Sequence, residues 1–576
     1  MKEYLKLIND AFEQSELKDY LGKGVVDSLI EWFPNGDSLL TKARLASMID
    51  SLYGTEILSN RDFRESLLLS MRRPELIRIR DKCLKGSEKL IEDHAELAKV
   101  IAKKPWKKNA VSLMLAEVWG VPEDIFSKES DTSQVCNTIT SPDRRFFELL
   151  DYQYYIKQRV INNLNAYELE RLLIHMPTGT GKTKTTMHII THYLQFVMKK
   201  RGAVIWVAHT NELLEQAYDT FQTVWNHLGD GEIKAYKLWG NKTIDDNEEL
   251  NGIVFCGLSK LMSIHNSNEG LWNRLKKDCR LIVFDEAHKA AATETRKVIE
   301  DLMRIPKGYS NRALIGLSAT PGRTTEASYD NNLLTSMFGG KLIYIDTDII
   351  NQINMGQLQA LNCESERNII KFFQERGILA KVIPDRLTYR TEFTPNELAI
   401  LRGELEDLGF DEKDFSQKQL KVLATNKDRN QVILQRLRKL NDEKVPTIVF
   451  ACSVDHAKML SAMLTLEEIP NSLVVGSMNS IDRRNAISAF KNKNNNVNII
   501  INYGILTTGF DSTNIQCVFI TRPTKSVVLY SQMIGRGLRG PLMGGNPECL
   551  LIDIDDNLDL FDNDAAFSHF DDYWNA

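Results

Sequence analysis

Cysteine is sparse in the 576-residue chain, and its eight residues (Cys83, Cys136, Cys256, Cys279, Cys363, Cys452, Cys517 and Cys549) are scattered, no two within five positions. That scatter excludes a CxxC zinc pair and a disulfide framework. Long apolar runs are missing too. Stretches such as Leu281-Ile282-Val283-Phe284 fall far short of the roughly 20 residues that a membrane-spanning helix needs. The opening Met1-Lys2-Glu3-Tyr4-Leu5-Lys6 has no apolar signal core, so a cytoplasmic protein with reduced thiols is expected. Nor is there a cationic excess: 72 basic and 77 acidic side chains leave a formal charge of −5. Any nucleic-acid contact must therefore come from local basic surfaces. Hydrophobic residues at 43% and charged ones at 26% exclude a collagen, a mucin or a wholly disordered chain. The length predicts about three or four domains, each able to bury its own core.

Residues 1–126 carry helical spacing. Leu5, Ile8 and Phe12 recur at i, i+3 and i+7, and Leu90, Leu97 and Ile101 continue the pattern. Positions 1–60 hold 6 basic and 10 acidic residues, against 14 and 8 over positions 61–108. The basic part ends in Lys103-Lys104-Pro105-Trp106-Lys107-Lys108. That run reads either as a grip on a phosphate backbone with a stacked base or as a solvated turn between helices. Residues 127–143, with seven Ser or Thr among the sixteen residues Ser127–Pro142, read as a linker.

After the linker, short apolar runs alternate with helical stretches: Leu172–Ile174, Val204–Val207, Ile253–Phe255, Leu281–Phe284 and Leu314–Leu317. A second series follows at Thr447–Phe450, Leu473–Val475, Asn498–Ile501, Cys517–Ile520 and Leu550–Ile552. Continuous apolar strands between helices mean parallel sheets covered on both faces. Two tandem α/β domains are expected, over 144–346 and 347–556, with an inserted helical segment at about 395–440. The end, Asp553 to Ala576, has eight Asp, no Lys or Arg, and five aromatics. Residues 557–576 read as an acidic aromatic tail, either partner-binding or a frayed terminus.

The first series opens on a phosphate-binding pattern. The strand Leu172–Met176 runs into Pro177-Thr178-Gly179-Thr180-Gly181-Lys182-Thr183. Glycines let backbone N–H groups close around phosphate oxygens, and the following helix adds its positive N-terminus. Lys182 is placed to reach the outer phosphates and the Thr183 hydroxyl to ligate Mg²⁺. Met176 stands where the GxxxxGK[ST] pattern has its first glycine. The strand Leu281–Phe284 ends in Asp285-Glu286-Ala287-His288, at the edge where parallel sheets bind ligands. Asp285 is expected to hold the Mg²⁺ and Glu286 to activate the attacking water.

These segments, with Ser318-Ala319-Thr320 and Gln532-Met533-Ile534-Gly535-Arg536-Gly537-Leu538-Arg539, resemble motifs I, II, III and VI of superfamily 2 helicases and translocases. The resemblance covers about residues 145–555 and is most similar to the branch of restriction-enzyme motor subunits and XPB-, RecG- and UvrB-like motors. It implies two tandem RecA-like domains, with ATP and Mg²⁺ as cofactors; the small all-helical N-terminal domain read from spacing over 1–126 lies outside it. Gln532, Arg536 and Arg539 fall at i, i+4 and i+7, predicting one helix face that presents two arginine fingers to nucleotide held by the other domain.

The resemblance implies further assignments. Gln153, in Leu150-Asp151-Tyr152-Gln153, corresponds to the glutamine that reads adenine, and Gly509 and Asp511 of motif V join Thr178–Thr183 in holding nucleotide. His209, Thr210, Ser259, Ser318, Thr320, Ser453 and Thr508 fall at nucleic-acid or coupling positions, although relatives usually carry Arg where Thr210 stands. The implied activity is ATP-dependent movement along, or unwinding of, nucleic acid, DNA favoured over RNA, in a restriction, antiphage or repair setting. An RNA helicase and an ATP-switched sensor subunit remain alternatives. A protein partner is expected through the N-terminal domain or the acidic tail, and no membrane.

Overall fold

The computed structural model describes residues 3–126, 135–141, 146–166, 169–245, 248–290, 292–304, 312–319, 334, 336–345, 369–402, 414–492, 494–507, 509–510 and 512–556. Helices from Glu3–Ala11 to Ala110–Trp119 build the N-terminal domain. Phe12 stacks on Phe63 at 4.5 Å at its centre. Buried Arg64 satisfies itself by donating to the carbonyls of Leu58, Ser59, Ala102 and Lys104, which ties Lys103–Lys108 to the fold. Trp106 packs edge-on against Phe126 at 4.7 Å and beside Trp119, and Lys104 pairs with Glu88 at 2.7 Å. The aromatic once available for a base is thus turned into this domain's own core, and the solvated-turn reading fits.

The first lobe is a sheet of β1 (Cys136–Ile139), β2 (Leu169–His175), β3 (Ala203–Ala208), β4 (Ile233–Leu238), β5 (Gly252–Gly257), β6 (Cys279–Asp285), β7 (Arg312–Ser318) and β8 (Leu342–Ile343). Their order is β1-β4-β5-β3-β6-β7-β2-β8. All neighbours pair in parallel except β1, which runs antiparallel to β4. β1 corrects the linker reading of 127–143: an edge strand needs only one buried side chain, here Ile139, so it shows no apolar alternation.

The second lobe contains β9 (Lys381–Thr388), β10 (Thr447–Phe450), β11 (Asn471–Val474), β12 (Ile499–Asn502), β13 (Cys517–Ile520) and β14 (Glu548–Asp555) in a parallel sheet ordered β11-β12-β10-β13-β14-β9. The helical segment at 395–440 divides. Pro395–Leu401 and Gln417–Thr425 share a small apolar cluster with Phe415 and Cys452. The helix Lys427–Asp442 instead covers the sheet with Ile433, Leu434, Leu437 and Leu440, and its Arg429 pairs with Asp556 in full burial. The insertion therefore ends before Lys427. Apolar periodicity alone does not separate a covering helix from an added one.

The N-terminal domain docks on this second lobe although its chain leads into the first. Its apolar residues share one continuous core with those of the helices Lys427–Asp442 and Val454–Leu466. Polar contacts edge the junction: Ser51 Oγ with Ser461 Oγ at 3.1 Å, Arg44 with Glu468 at 2.9 Å, and Lys427 Nζ donating to the Glu31 carbonyl at 3.1 Å. Among the described residues no helix is long and apolar enough to cross a membrane.

Candidate functional site

The phosphate loop hangs between β2 and the helix Lys182–His192. Gly179 and Gly181 adopt φ +86° and +81°, a region closed to most side chains. At Gly181 a Cβ would also collide with the Gln153 amide. Thr180 pins the loop: its hydroxyl donates to the Pro177 carbonyl at 2.7 Å, and its own carbonyl accepts from Tyr152 Oη at 2.7 Å and Gln153 Nε2 at 2.9 Å. Met176 N donates to the Ser318 carbonyl at 3.1 Å, so the end of β7 supports the loop from the neighbouring strand.

The carboxylates stand beside it. Asp285 ends β6 in full burial, and Glu286 follows at φ +55°, left-handed for a non-glycine residue. Burial, then the adjacent Glu286 charge, push the Asp285 carboxyl up to about 7, against the pull of Lys182. Burial works the same way on Glu286, but its interactions with Lys182, and then with His288, Arg536 and His209, outweigh it and hold that carboxyl below its usual range. His288 Nδ1 lies 3.4 Å from Glu286 Oε2. His209 is pushed down to about 4 by burial and by Lys289, and the influence of Glu286 upon it places it at the carboxylates.

The second lobe closes over this floor. The helix bearing motif VI spans Val527–Ile534, so Arg536 and Arg539 lie beyond it, which corrects the single helix face expected for Gln532, Arg536 and Arg539. Gly535 to Gly537 form a turn instead, with Gly537 N donating to the Ile534 carbonyl at 2.9 Å. The turn still delivers the arginines. Arg536 Nη1 donates to the Phe510 carbonyl at 2.7 Å and Nε to the Gln532 carbonyl at 3.2 Å. Burial pushes its guanidinium down to about 10 while Glu286, across the cleft, pulls the other way. A Cβ on Gly179 would lie 3.8 Å from Arg539 Cγ. Gly535 rests on Thr178, where a Cβ would stand 2.6 Å from the threonine Cβ. The buried Gln532 Nε2 has no hydrogen-bond partner among the described residues.

A cavity of about 550 Å³ opens between the lobes beside the loop, walled by Phe147, Lys184, Glu212 and Gln216 on one side and Gly509 and Phe510 on the other. Lys184 Nζ sits 4.2 Å from the Phe147 ring centre. Gln153 lies behind the loop, its Oε1 accepting from Leu150 N at 3.0 Å, so all its polar atoms are engaged internally. Gly509, at φ +70°, packs on Glu212 and Leu213.

Thr210 caps the helix Asn211–Leu228, its Oγ1 accepting from Leu213 N at 3.3 Å, and Ser453 caps Val454–Leu466 by accepting from His456 N at 3.0 Å. Ser259 is exposed in the first turn of Leu258–Ser267. Thr320, Thr508 and Asp511 lie outside the described residues. Tyr152, Phe147 and Lys184 join the site without having been singled out; the loop-supporting hydroxyl of Tyr152 sits inside a stretch already of interest, whereas nothing in spacing marks the other two.

ATP and Mg²⁺ fit the residues present. The two left-handed glycines open the cradle, the helix start at Lys182 offers its amides, and Thr183 with Asp285 supplies an oxygen donor set suited to a hard cation. The orphaned Gln532 amide faces the same demand for a polar partner.

Two largely parallel sheets, one ending in the glycine-rich loop and acidic pair and the other in the glycine–arginine segment, define a two-lobed RecA-like fold. Residues 146–323 match the family model "Type III restriction enzyme, res subunit" and residues 428–540 match "Helicase conserved C-terminal domain". Each lobe thus matches one domain of the superfamily 2 helicases, and the first lobe is similar to the restriction-subunit branch. It is 27% identical over 410 residues to a protein named as the ATP-dependent helicase IRC3 of Saccharomyces cerevisiae, covering 70% of this chain and 51% of the relative. It is 25% identical over 401 residues to the type I restriction enzyme EcoAI endonuclease subunit of Escherichia coli, covering 67% and 44%. It is 21% identical over 399 residues to the ATP-dependent DNA helicase uvsW of Enterobacteria phage T4, covering 68% and 66%. The chain thus spans about half the length of the first two.

Proposed function

We propose that this protein hydrolyses Mg²⁺-bound ATP between its lobes and converts the cycle into movement along, or unwinding of, nucleic acid, with DNA preferred to RNA. The observation that carries the reading is the close approach of the second lobe's glycine–arginine segment to the first lobe's loop, with Gly535 against Thr178 and Arg539 beside Gly179. Mg²⁺, when bound, neutralises charge on the transferred phosphoryl group. Gly179, Gly181 and Lys182 hold the phosphates, and Thr183 and Asp285 hold the metal. Glu286, kept ionised by its cationic neighbours, accepts the proton of the attacking water. Arg536 and Arg539 stabilise the charge that develops on the phosphoryl oxygens, and Gln532 orients them. Since they come from the other lobe, turnover requires closure, and that requirement links chemistry to motion.

The cavity holding Phe147 and Lys184 suits the nucleoside part, with Gln153 steadying Thr180 behind it. Ser318, bonded to Met176 through its carbonyl, passes the state of the loop towards the strand ends; His209, Thr210, Ser259 and Ser453 take nucleic-acid contacts, Gly509 joins in holding nucleotide, and Thr320, Thr508 and Asp511 keep the roles that the resemblance implies. The restriction subunit and the DNA helicase among the relatives support DNA as the track and a restriction, antiphage or repair complex as the setting. ATP turnover measured with single-stranded DNA, duplex DNA, forked DNA and RNA tests the proposal. Stimulation by DNA is expected, and turnover indifferent to every nucleic acid defeats it.

A further inference from the structure

The helix Ser480–Lys491 of the second lobe stands where three parts of the molecule meet. Asp482 in its first turn is held by the N-terminal domain: its Oδ2 accepts from Thr55 N at 2.8 Å and from Thr55 Oγ1 at 2.9 Å. Asn479 Nδ2, at the helix cap, donates to the same oxygen at 2.7 Å. Gly54, at φ +53°, comes so near that a Cβ there would stand 2.5 Å from that oxygen. The approach is built for contact, since no side chain fits between.

Arg483, one position on and so about 100° around the helix, meets the first lobe. Its Nη1 donates to Glu212 Oε1 at 3.0 Å, while Nη2 donates to the Met478 carbonyl at 3.3 Å. Glu212 lies in the first turn of Asn211–Leu228, the helix capped by Thr210, and walls the cavity between the lobes. Gly509 lies against the same residue. Consecutive side chains on one short helix therefore grip the N-terminal domain and the opposite lobe.

We propose that the N-terminal domain sets how readily the two lobes close, by fixing the helix Ser480–Lys491 through Asp482 so that Arg483 is aimed at Glu212. Asp482 is then a positioning residue that acts through Arg483, and residues 1–126 are a regulator of closure. The domain's docking does not depend on Asp482, because the shared apolar core and the Ser51–Ser461 and Arg44–Glu468 contacts anchor it elsewhere. The Arg483–Glu212 pair is partly exposed, at 22% and 40%, so it shifts the closed-to-open ratio by about two- to five-fold. The consequence for ATP turnover rests on the motor reading above. Closure itself does not.

The experiment uses the intact chain, with donor and acceptor dyes on cysteines replacing exposed Glu294 of the first lobe and exposed Glu443 of the second, and reads the lobe separation without nucleotide. Arg483→Gln is expected to lower the closed-to-open ratio two- to five-fold, and Asp482→Ala to lower it by a similar factor. The double variant is expected to match Arg483→Gln alone. Exchanging the pair, Glu212→Arg with Arg483→Glu, is expected to restore closure and with it the sensitivity to Asp482→Ala. The proposal is overturned if Asp482→Ala still lowers closure in the Arg483→Gln background, or if it changes only the melting temperature. Absence of ATP turnover in the parent chain would count against the motor reading and leave these distances to decide the present one.

Discussion

Replacing Gly535 by alanine adds a single methyl group at the point where motif VI touches the phosphate loop. The glycine has φ −54°, which alanine adopts without strain, so the effect is one of contact alone. The new Cβ would stand 2.6 Å from Thr178 Cβ and nearer still to its Cγ2, whereas carbon atoms rest at about 3.5 Å or more. The lobes must part, or the loop must withdraw, by about 1 Å. Arg536 and Arg539 follow in sequence and are carried back by a similar distance. A misplacement of about 1 Å costs on the order of 10²-fold in rate, or about 2.7 kcal/mol of transition-state stabilisation. Each lobe keeps its own core, so little change in melting temperature is expected. Steady-state ATP turnover of Gly535→Ala, beside a thermal melt, checks this. Turnover within a factor of two of the parent, with an unaltered melt, would refute the close approach of motif VI to the loop as a requirement for catalysis.

Three further outcomes follow from particular contacts. Glu286→Gln is expected to bind ATP and fail to turn it over, while Lys182→Ala loses turnover and weakens binding; near-normal hydrolysis by the glutamine variant, read as phosphate release, removes Glu286 from the role of base. Asp556→Ala leaves Arg429 charged in complete burial and should cost about 3–5 kcal/mol, seen in denaturant unfolding of the second lobe; a loss under 1 kcal/mol contradicts the buried pair. His456 accepts from Cys452 N through Nδ1 at 3.1 Å and meets Asn430 Oδ1 through Nε2 at 2.9 Å, so it is held neutral, and burial with the charge of Arg429 pushes it down to about 3. The unfolded chain therefore binds the proton first, near pH 6.5. Stability is full above that value and is lost by about 1.4 kcal/mol per unit as the pH falls from 6.5 towards 3. Histidines 175, 188 and 209, pushed down to about 4, 3 and 4 mainly by burial, add to the same trend, and a melting temperature flat between pH 7 and 5 would contradict it.

Much of this organisation was legible before any coordinates. The central strands of both sheets are buried on two faces and read as unbroken apolar runs, and the phosphate loop, the acidic pair and the glycine–arginine segment lie in local sequence. Strands β1, β4 and β9 were not legible for the converse reason. β1 buries one side chain, β9 alternates exposed positions around Pro384, and β4 hides Lys237 by laying its ammonium 3.7 Å from the Tyr218 ring centre. The course of the chain after Ile534 was misjudged because the i, i+4, i+7 spacing survives a turn that glycines impose. Above all, no local pattern says which lobe the first 126 residues cover, since any apolar helix face accepts any sheet-covering partner. The Asp482 and Arg483 contacts join residues more than 250 positions apart, and their spacing carries no trace of it.

The pairing of the first helices with the late lobe has a cost during synthesis. Ser51 meets Ser461 across 410 residues of chain, which at ribosomal speeds of 5–20 residues per second takes roughly 20–80 s to emerge. For that interval the apolar side of the newborn helical unit has no native cover. A nascent chain of this design leans on chaperones early, and a fragment ending before the second lobe would present a sticky surface to its surroundings.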